Sequence, residues 1–185
     1  MGRIADQLSY MLHEMSLDAR GQSSISRFLT ALFRGGSCVI ISYRIRRFIY
    51  LATGRYSAPF LILVSPILIW CRMIGGRHEF PKTAEIGRGL RLVHAVRSCV
   101  VNGQTIAGEN LYMTGGNTIG VSRAIKRGDL VLGDSVLMGI GAMVIGPLTV
   151  GSSVRIGAGT VVVKNVPDGS VVVGNPARVI QKQQA

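Results

Sequence analysis

The sequence predicts a mainly β fold, a parallel β-helix preceded by an α-helical segment, and three observations carry that prediction. Every sixth residue from Leu132 is apolar, giving Leu132, Met138, Val144, Val150, Ile156 and Val162 without insertion or deletion. The residue after each is glycine in four of the six cases, at Gly133, Gly139, Gly151 and Gly157. A second series lies four residues along, at Val136, Ala142, Leu148, Val154, Thr160 and Val166. A six-residue period fits neither an amphipathic helix nor a hairpin strand, whereas a β-helix of short strands needs a small or flexible residue at its corners. The competing reading is a Gly-rich, Val-rich β-sandwich whose spacing is accidental.

From the N-terminus, Ile4, Leu8, Met11, Leu12 and Met15 form a helical stripe ending near Leu17. Residues 18–24 read as a connection, with Ser24 capping a second helix that runs through Phe33 and ends at Gly35-Gly36. Cys38 to Leu51 mixes aliphatic residues with Arg44, Arg46 and Arg47, and a second apolar run spans Ala58 to Cys71. That run is interrupted by Pro59, Ser65 and Pro66 and is shorter than the roughly 20 residues a bilayer-spanning helix needs. Two readings of this segment stand: a helical cap packed on the β-helix, or a basic helical pair at the membrane surface whose Arg heads pair with lipid phosphates.

Gly75-Gly76 marks the joint, and the β-helix begins near Pro81. Its frame runs through Ile86 and Leu92 and resumes at Val101, nine residues on where six are due, so three residues are inserted around His94. Ala107, Met113 and Ile119 keep the period. Between Ile119 and Leu132 thirteen residues stand where two steps would take twelve. In a coil fold such departures map to outer loops, often where ligands sit. Pro167-Asp168-Gly169 turns the chain, which then leaves after Pro176. The expected organisation is a helical region over 1–79, a β-helix over 80–180 and a polar tail over 181–185.

A formal charge of +12, from 21 Lys plus Arg against 9 Asp plus Glu, points to an anionic partner. Nucleic acid is set aside, because no recognition motif and no basic run interleaved with aromatics is present. Cys38, Cys71 and Cys99 are odd in number and have no ligand spacing, which argues against a disulfide framework or a metal site and for a reducing, cytoplasmic setting. The N-terminus lacks the order of a signal peptide. Of the three histidines, His94 alone stands at a frame break. A lone histidine among strands is most often structural, but a neutral imidazole there can also accept a hydroxyl proton.

The segments Leu132-Gly133-Asp134, Met138-Gly139-Ile140-Gly141-Ala142, Ile156-Gly157-Ala158-Gly159-Thr160 and Val172 to Ile180 resemble the hexapeptide-repeat acyltransferases, within them the serine acetyltransferase-like branch. The resemblance covers residues 80 to 180. It implies a left-handed β-helix, a homotrimer, and acetyl-CoA held in grooves between subunits; the handedness comes from the resemblance alone, since β-crossovers are otherwise right-handed. It places the catalytic histidine on Leu92-Val93-His94-Ala95, as the base of a direct transfer without an acyl-enzyme. It gives Ile140, Ala158, Val163, Lys164 and Arg178 for the CoA groove, the first three through their backbones and the two cations against the phosphates.

Two departures from serine acetyltransferases bear on the acceptor. The acidic residue expected just before the catalytic histidine is Val93, and the second histidine expected after Ile119-Gly120 is missing. Glu109 and Asp129 are the carboxylates considered for orienting His94. The function expected is therefore acetyl-CoA-dependent O-acetylation of a sugar hydroxyl in surface-polysaccharide assembly, in the cytoplasm with peripheral contact at the inner membrane face. The alternatives are serine O-acetylation and a non-catalytic β-helix scaffold. A zinc hydrolyase of the carbonic anhydrase type is set aside, because the β-helix holds one histidine and one cysteine where such a site wants three ligands.

Overall fold

The computed structural model describes residues 4–17, 33–94, 97–124 and 126–182. The helix expected from Ser24 to Phe33 lies almost wholly outside the described residues. The helices are α1 (Ile4–Leu17), α2 (Gly35–Thr53), α3 (Ala58–Leu63) and α4 (Ser65–Gly75). Fourteen strands follow. The first seven are β1 (Glu85–Ile86), β2 (Arg91–Leu92), β3 (Val100–Val101), β4 (Ile106–Ala107), β5 (Tyr112–Met113), β6 (Thr118–Val121) and β7 (Leu130–Leu132). The rest are β8 (Leu137–Met138), β9 (Met143–Gly146), β10 (Leu148–Val150), β11 (Arg155–Ile156), β12 (Val161–Val162), β13 (Ser170–Val173) and β14 (Arg178–Lys182).

Successive strands pass from sheet to sheet, so the coil has three faces: β1-β4-β7-β10, then β2-β5-β8-β11-β13-β14, then β3-β6-β9-β12. Pairing is parallel throughout except at β14. This is the left-handed parallel β-helix that the sequence predicts. The physical cause is the six-residue beat: Leu132, Met138, Val144, Val150, Ile156 and Val162 all point inward and are buried, as are Val136, Ala142, Leu148, Val154, Thr160 and Val166. Each buried Val, Leu or Ile contributes about 1.5–3 kcal/mol relative to exposure.

The two irregularities differ in size from each other. Leu92 and Val101 are inward residues of consecutive strands on adjacent faces, so three residues are inserted at His94, as counted from sequence. Ile119 and Leu132 are also consecutive: Ile119 pairs with Val101 and Val144, and Leu132 with Ala107 and Val150. Thirteen residues therefore make one step that elsewhere takes six, and the excess is seven residues rather than the one expected. The extra chain forms an exposed excursion between β6 and β7.

The helical segment closes the open N-terminal end of the coil, whose first rung would otherwise leave carbonyls unpaired. Val39, Ile40 and Tyr43 of α2 join the β-helix core, and Tyr43 Oη donates to the Ala84 carbonyl at 2.9 Å. Arg44, 1% exposed, donates to the carbonyls of Ile86 at 2.8 Å and Gly87 at 2.6 Å. Its other donors meet Glu14 of α1 at 3.0 and 2.5 Å, and Glu14 in turn accepts the Leu90 N–H. Arg46 donates to the Phe80 carbonyl and Arg47 to that of Lys82.

Three expectations are corrected here. Arg44 and Arg47 are turned onto coil carbonyls instead of lipid phosphates and Arg46 gives one donor to the Phe80 carbonyl, so α2 takes the cap reading. Phe33 is helical and the helix breaks at Arg34, after which Gly35-Gly36 opens α2; Gly36 is needed because a Cβ there would lie 2.3 Å from the Leu92 carbonyl oxygen. In α1 the fully buried residues are Gln7 and Glu14, drawn in by Arg44, while Ile4, Leu8 and Leu12 of the apolar stripe are exposed. At the C-terminus the chain does not leave after Pro176: Arg178–Lys182 turns back as β14, antiparallel to β13, and covers the last sheet edge.

Candidate active site

The site follows from one corner of the prism. The five parallel strands of the six-stranded face end at this corner, so the residues after β2, β5, β8, β11 and β13 stack into an edge. Backbone bonds run along it: His94 N–H to the Thr114 carbonyl at 2.8 Å, Gly141 to Gly115 at 2.9 Å, Gly159 to Ile140 at 2.8 Å and Val161 to Gly174 at 3.0 Å. His94, Ile140 and Ala158, proposed from sequence as base and donor-binding residues, therefore lie on a single edge. With rungs about 4.8 Å apart, the three steps from His94 to Ala158 span about 14 Å.

The other donor-binding residues lie at the far end. Arg178 opens β14 opposite Val173, and the preceding Ala177 N–H bonds to the Val161 carbonyl at 2.9 Å, which sets Arg178 beside the end of the same edge. Val163 and Lys164 follow β12 on another face and sit round the next corner. Ile140, Ala158, Val163, Lys164 and Arg178 are all exposed.

His94 is held by its backbone and presents its ring to solvent. The three inserted residues let the chain bulge, with the Arg97 N–H returning to the His94 carbonyl at 3.2 Å. Beneath it, Gly115 has φ +144°, and a Cβ there would meet the His94 carbonyl oxygen at 2.7 Å. Asn117, fully buried, accepts the Gly115 N–H at 2.9 Å and donates to the Gly139 carbonyl at 2.7 Å. It ties the rung under His94 to the rung bearing Ile140. Sequence reasoning missed Asn117, although a polar residue in a slot of the inward series was the available signal.

A cavity of about 580 Å³ opens beside His94. Its walls are the start of α2 (Arg34 to Ser37), the end of α4 (Met73 to Gly76) and Arg91 to His94. Among the described residues no carboxylate lines it, and Val93, 43% exposed, stands where the resemblance would put an acid. Arg91 stacks its guanidinium 5.5 Å from the Tyr112 ring centre. Glu109 pairs with Arg88 at 3.6 Å and Asp129 accepts the Lys126 N–H, so within one chain neither orients His94. His78 is structural, its Nδ1 accepting the Cys99 N–H at 3.1 Å. Among the described residues no cluster of His, Cys, Asp and Glu could hold a metal.

No protein-family model matches the chain. It is 32% identical over 148 residues to WcaB of Escherichia coli (strain K12), a protein assigned as a colanic acid biosynthesis acetyltransferase, with 77% of this chain and 88% of that protein aligned. It is 45% identical over 100 residues to the chloroplastic serine acetyltransferase 1 of Arabidopsis thaliana, covering 52% of this chain and 31% of the plant protein. The solved serine acetyltransferase of Neisseria gonorrhoeae superposes with a TM-score of 0.71 at 26% identity, over 98% of this chain and 66% of that one. The chain thus spans under a third of the plant relative and about two thirds of the gonococcal one.

Proposed function

The chain belongs to the hexapeptide-repeat acyltransferases, in the branch that holds serine acetyltransferases and a polysaccharide acetyltransferase, and on that premise we propose that it is an acetyl-CoA-dependent O-acetyltransferase acting on a sugar hydroxyl. The observation that carries this reading is the shared edge: a base candidate and the donor-binding backbone lie on one line, His94 at one end and Ala158 with Arg178 towards the other.

An acetyl-CoA arm laid along that edge brings its thioester to His94. The imidazole takes the proton of the acceptor hydroxyl as that oxygen attacks the thioester carbonyl. The C–S bond breaks, and the departing thiolate recovers a proton from the imidazolium. No acyl-enzyme forms. Ile140, Ala158 and Val163 contribute backbone groups, while Lys164 and Arg178 meet the CoA phosphates. The grooves complete themselves in a homotrimer, which also lets Lys164 reach the donor held on a neighbour's edge. The enzyme works in the cytoplasm with peripheral contact at the inner membrane face, in the assembly of a surface polysaccharide.

The carboxylate-free cavity favours a sugar over serine. Free serine carries an ammonium group that calls for an acidic partner, and Arg34, Arg91 and Val93 offer none. The second reading, serine O-acetylation, is favoured by the 45% identity to the plant enzyme. A non-catalytic scaffold is the third. Purified protein is incubated with acetyl-CoA and either free serine or a polysaccharide repeat unit, and CoA release is followed. Turnover with the glycan is expected; efficient turnover with serine alone overturns the sugar reading, and no turnover with either points to the scaffold.

A further inference from the structure

Helices α3 and α4 expose most of their apolar side chains. Phe60, Ile62, Leu63, Ile69, Trp70 and Met73 are all exposed, with Ile62 and Met73 at 73% and Leu63 at 79%. Only Cys71 and Gly75 of the two helices are buried, Gly75 because it meets Val39 of α2, where a Cβ would lie 2.8 Å from Val39 Cγ2. The opposite side of the pair is thus an apolar ridge. It is too short to cross a bilayer: six and eleven residues give about 9 and about 16 Å of helix against a core of about 30 Å. No helix among the described residues is long and apolar enough to span.

A second observation names what the ridge meets. Beside it lies a pocket of about 210 Å³ between α2 and α4, where Ser42, Arg46, Ser65, Arg72 and His78 surround a floor of Val39 and Leu68. It has cations and hydroxyls and no carboxylate, the chemistry of a phosphate subsite. Burial, helped by the nearby Arg72, pulls the Arg46 guanidinium below its usual range. Residues 19–78 contain nine arginines and no Asp or Glu.

We infer that the α3–α4 ridge and the Arg46–Arg72 pocket together form a docking surface for an anionic lipid bilayer, the ridge entering the acyl boundary and the pocket holding a lipid headgroup phosphate. A second copy of the chain is the poorer occupant, since it would bring the same carboxylate-free, arginine-rich segment face to face with itself. The ridge ends at the active-site cavity, because Met73 belongs to both. Docking therefore places His94 at the lipid surface, and the acceptor is a glycan carried on a lipid anchor. This last step rests on the acetyltransferase reading; the docking itself does not.

Full-length protein, without acetyl-CoA or acceptor, is sedimented with vesicles of phosphatidylcholine alone and of phosphatidylcholine mixed with phosphatidylglycerol. Binding to the anionic vesicles is expected, weakening with salt, with each of Ile62→Glu and Leu63→Glu reducing partition about tenfold and Arg72→Gln reducing it on anionic vesicles only. Both glutamates replace exposed residues, and an unchanged melting temperature shows that the fold is kept. Failure to sediment with anionic vesicles overturns the proposal, as does a larger assembly of the wild type that Leu63→Glu dissolves. In a second arm, acetyl transfer is compared between a glycan on an alkyl anchor in vesicles and the same glycan free. A lower KM for the anchored form, lost in Leu63→Glu, is expected; equal or better use of the free glycan by the wild type overturns the lipid-anchored acceptor while leaving acetyl transfer standing.

Discussion

Gly115 lies directly against His94: a Cβ on Gly115 would sit 2.7 Å from the His94 carbonyl oxygen and 3.2 Å from its Cβ, and the glycine's φ is +144°. The loop that carries His94, the proposed base, is therefore seated on a backbone that admits no side chain. Gly115→Ala is expected to lift the His94 loop, and displacements of about 1 Å at a reacting group cost about a hundredfold in rate. Turnover should fall on that scale while KM for acetyl-CoA, bound further along the edge, stays close to wild type. Steady-state kinetics of the variant decide it, and wild-type kcat would show that the loop tolerates the shift.

His94→Ala is the direct test of the base. Loss of a positioned general base lowers turnover about 10²–10⁴-fold, whereas calorimetric binding of acetyl-CoA should persist on the proposal that the residue stands at the thioester end of the edge. A variant that still transfers acetyl groups at the wild-type rate would remove His94 from the mechanism.

Asn117 makes a sharper point about positioning. Asn117→Leu leaves the Gly115 N–H without its partner and takes one of two donors from the Gly139 carbonyl, which keeps the Ala142 N–H; a buried unsatisfied group costs about 1–3 kcal/mol. The melting temperature should drop and kcat should fall with it. Asn117→Asp keeps the acceptor for Gly115 but loses the donor to Gly139, so it should recover part of kcat. If both variants lose stability with kcat unchanged, Asn117 supports the coil and not the site.

The inward slots were legible because a β-helix interior accepts little except aliphatic side chains, and one wrong residue would interrupt the series from Leu132 to Val162. The insertion at His94 was legible for the same reason, as a missed beat. The size of the second insertion was not, since the period counts residues but not faces, and thirteen residues pass equally well for two steps or one. Arg44 and Arg47 of α2 misled because a guanidinium serves a lipid phosphate and a backbone carbonyl alike. Nothing in the residues around Arg44 says that its partners are Ile86, Gly87 and Glu14. Burial of Gln7 and Glu14 against the apolar stripe of α1 followed from that same hidden partner.

The Glu14–Arg44 pair predicts a pH dependence. Burial, the largest influence, raises the Glu14 carboxyl above 4.5, outweighing its bonds to Arg44 and Leu90. A carboxyl whose folded value is raised binds protons more readily in the folded state, so its contribution is fully present below the unfolded value and declines as pH rises through the folded one. Urea melts of Glu14→Gln should show a flatter stability profile above pH 4.5 than the wild type. Arg44→Met, which strands a buried carboxylate, should cost about 3–5 kcal/mol near neutrality. A steeper profile for Glu14→Gln would contradict the sign.

Lys164 and Arg178 test the donor side. Both are exposed, so removing either should leave the fold intact. If they meet CoA phosphates, Lys164→Ala and Arg178→Ala each remove charge-assisted bonds that serve ground state and transition state equally, which raises KM for acetyl-CoA about three- to tenfold and spares kcat. The effect should shrink as salt screens the wild-type contact. Their places differ: Arg178 adjoins the end of the His94 edge, whereas Lys164 lies round the next corner and, in the homotrimer proposed above, reaches a donor on that edge from a neighbouring subunit. Co-expressing His94→Ala with Lys164→Ala should therefore yield mixed trimers containing sites with both groups intact, with activity above that of His94→Ala alone and KM partly restored relative to Lys164→Ala alone. Mixed trimers whose active sites all retain the Lys164→Ala KM would place that lysine and His94 in the same chain's site.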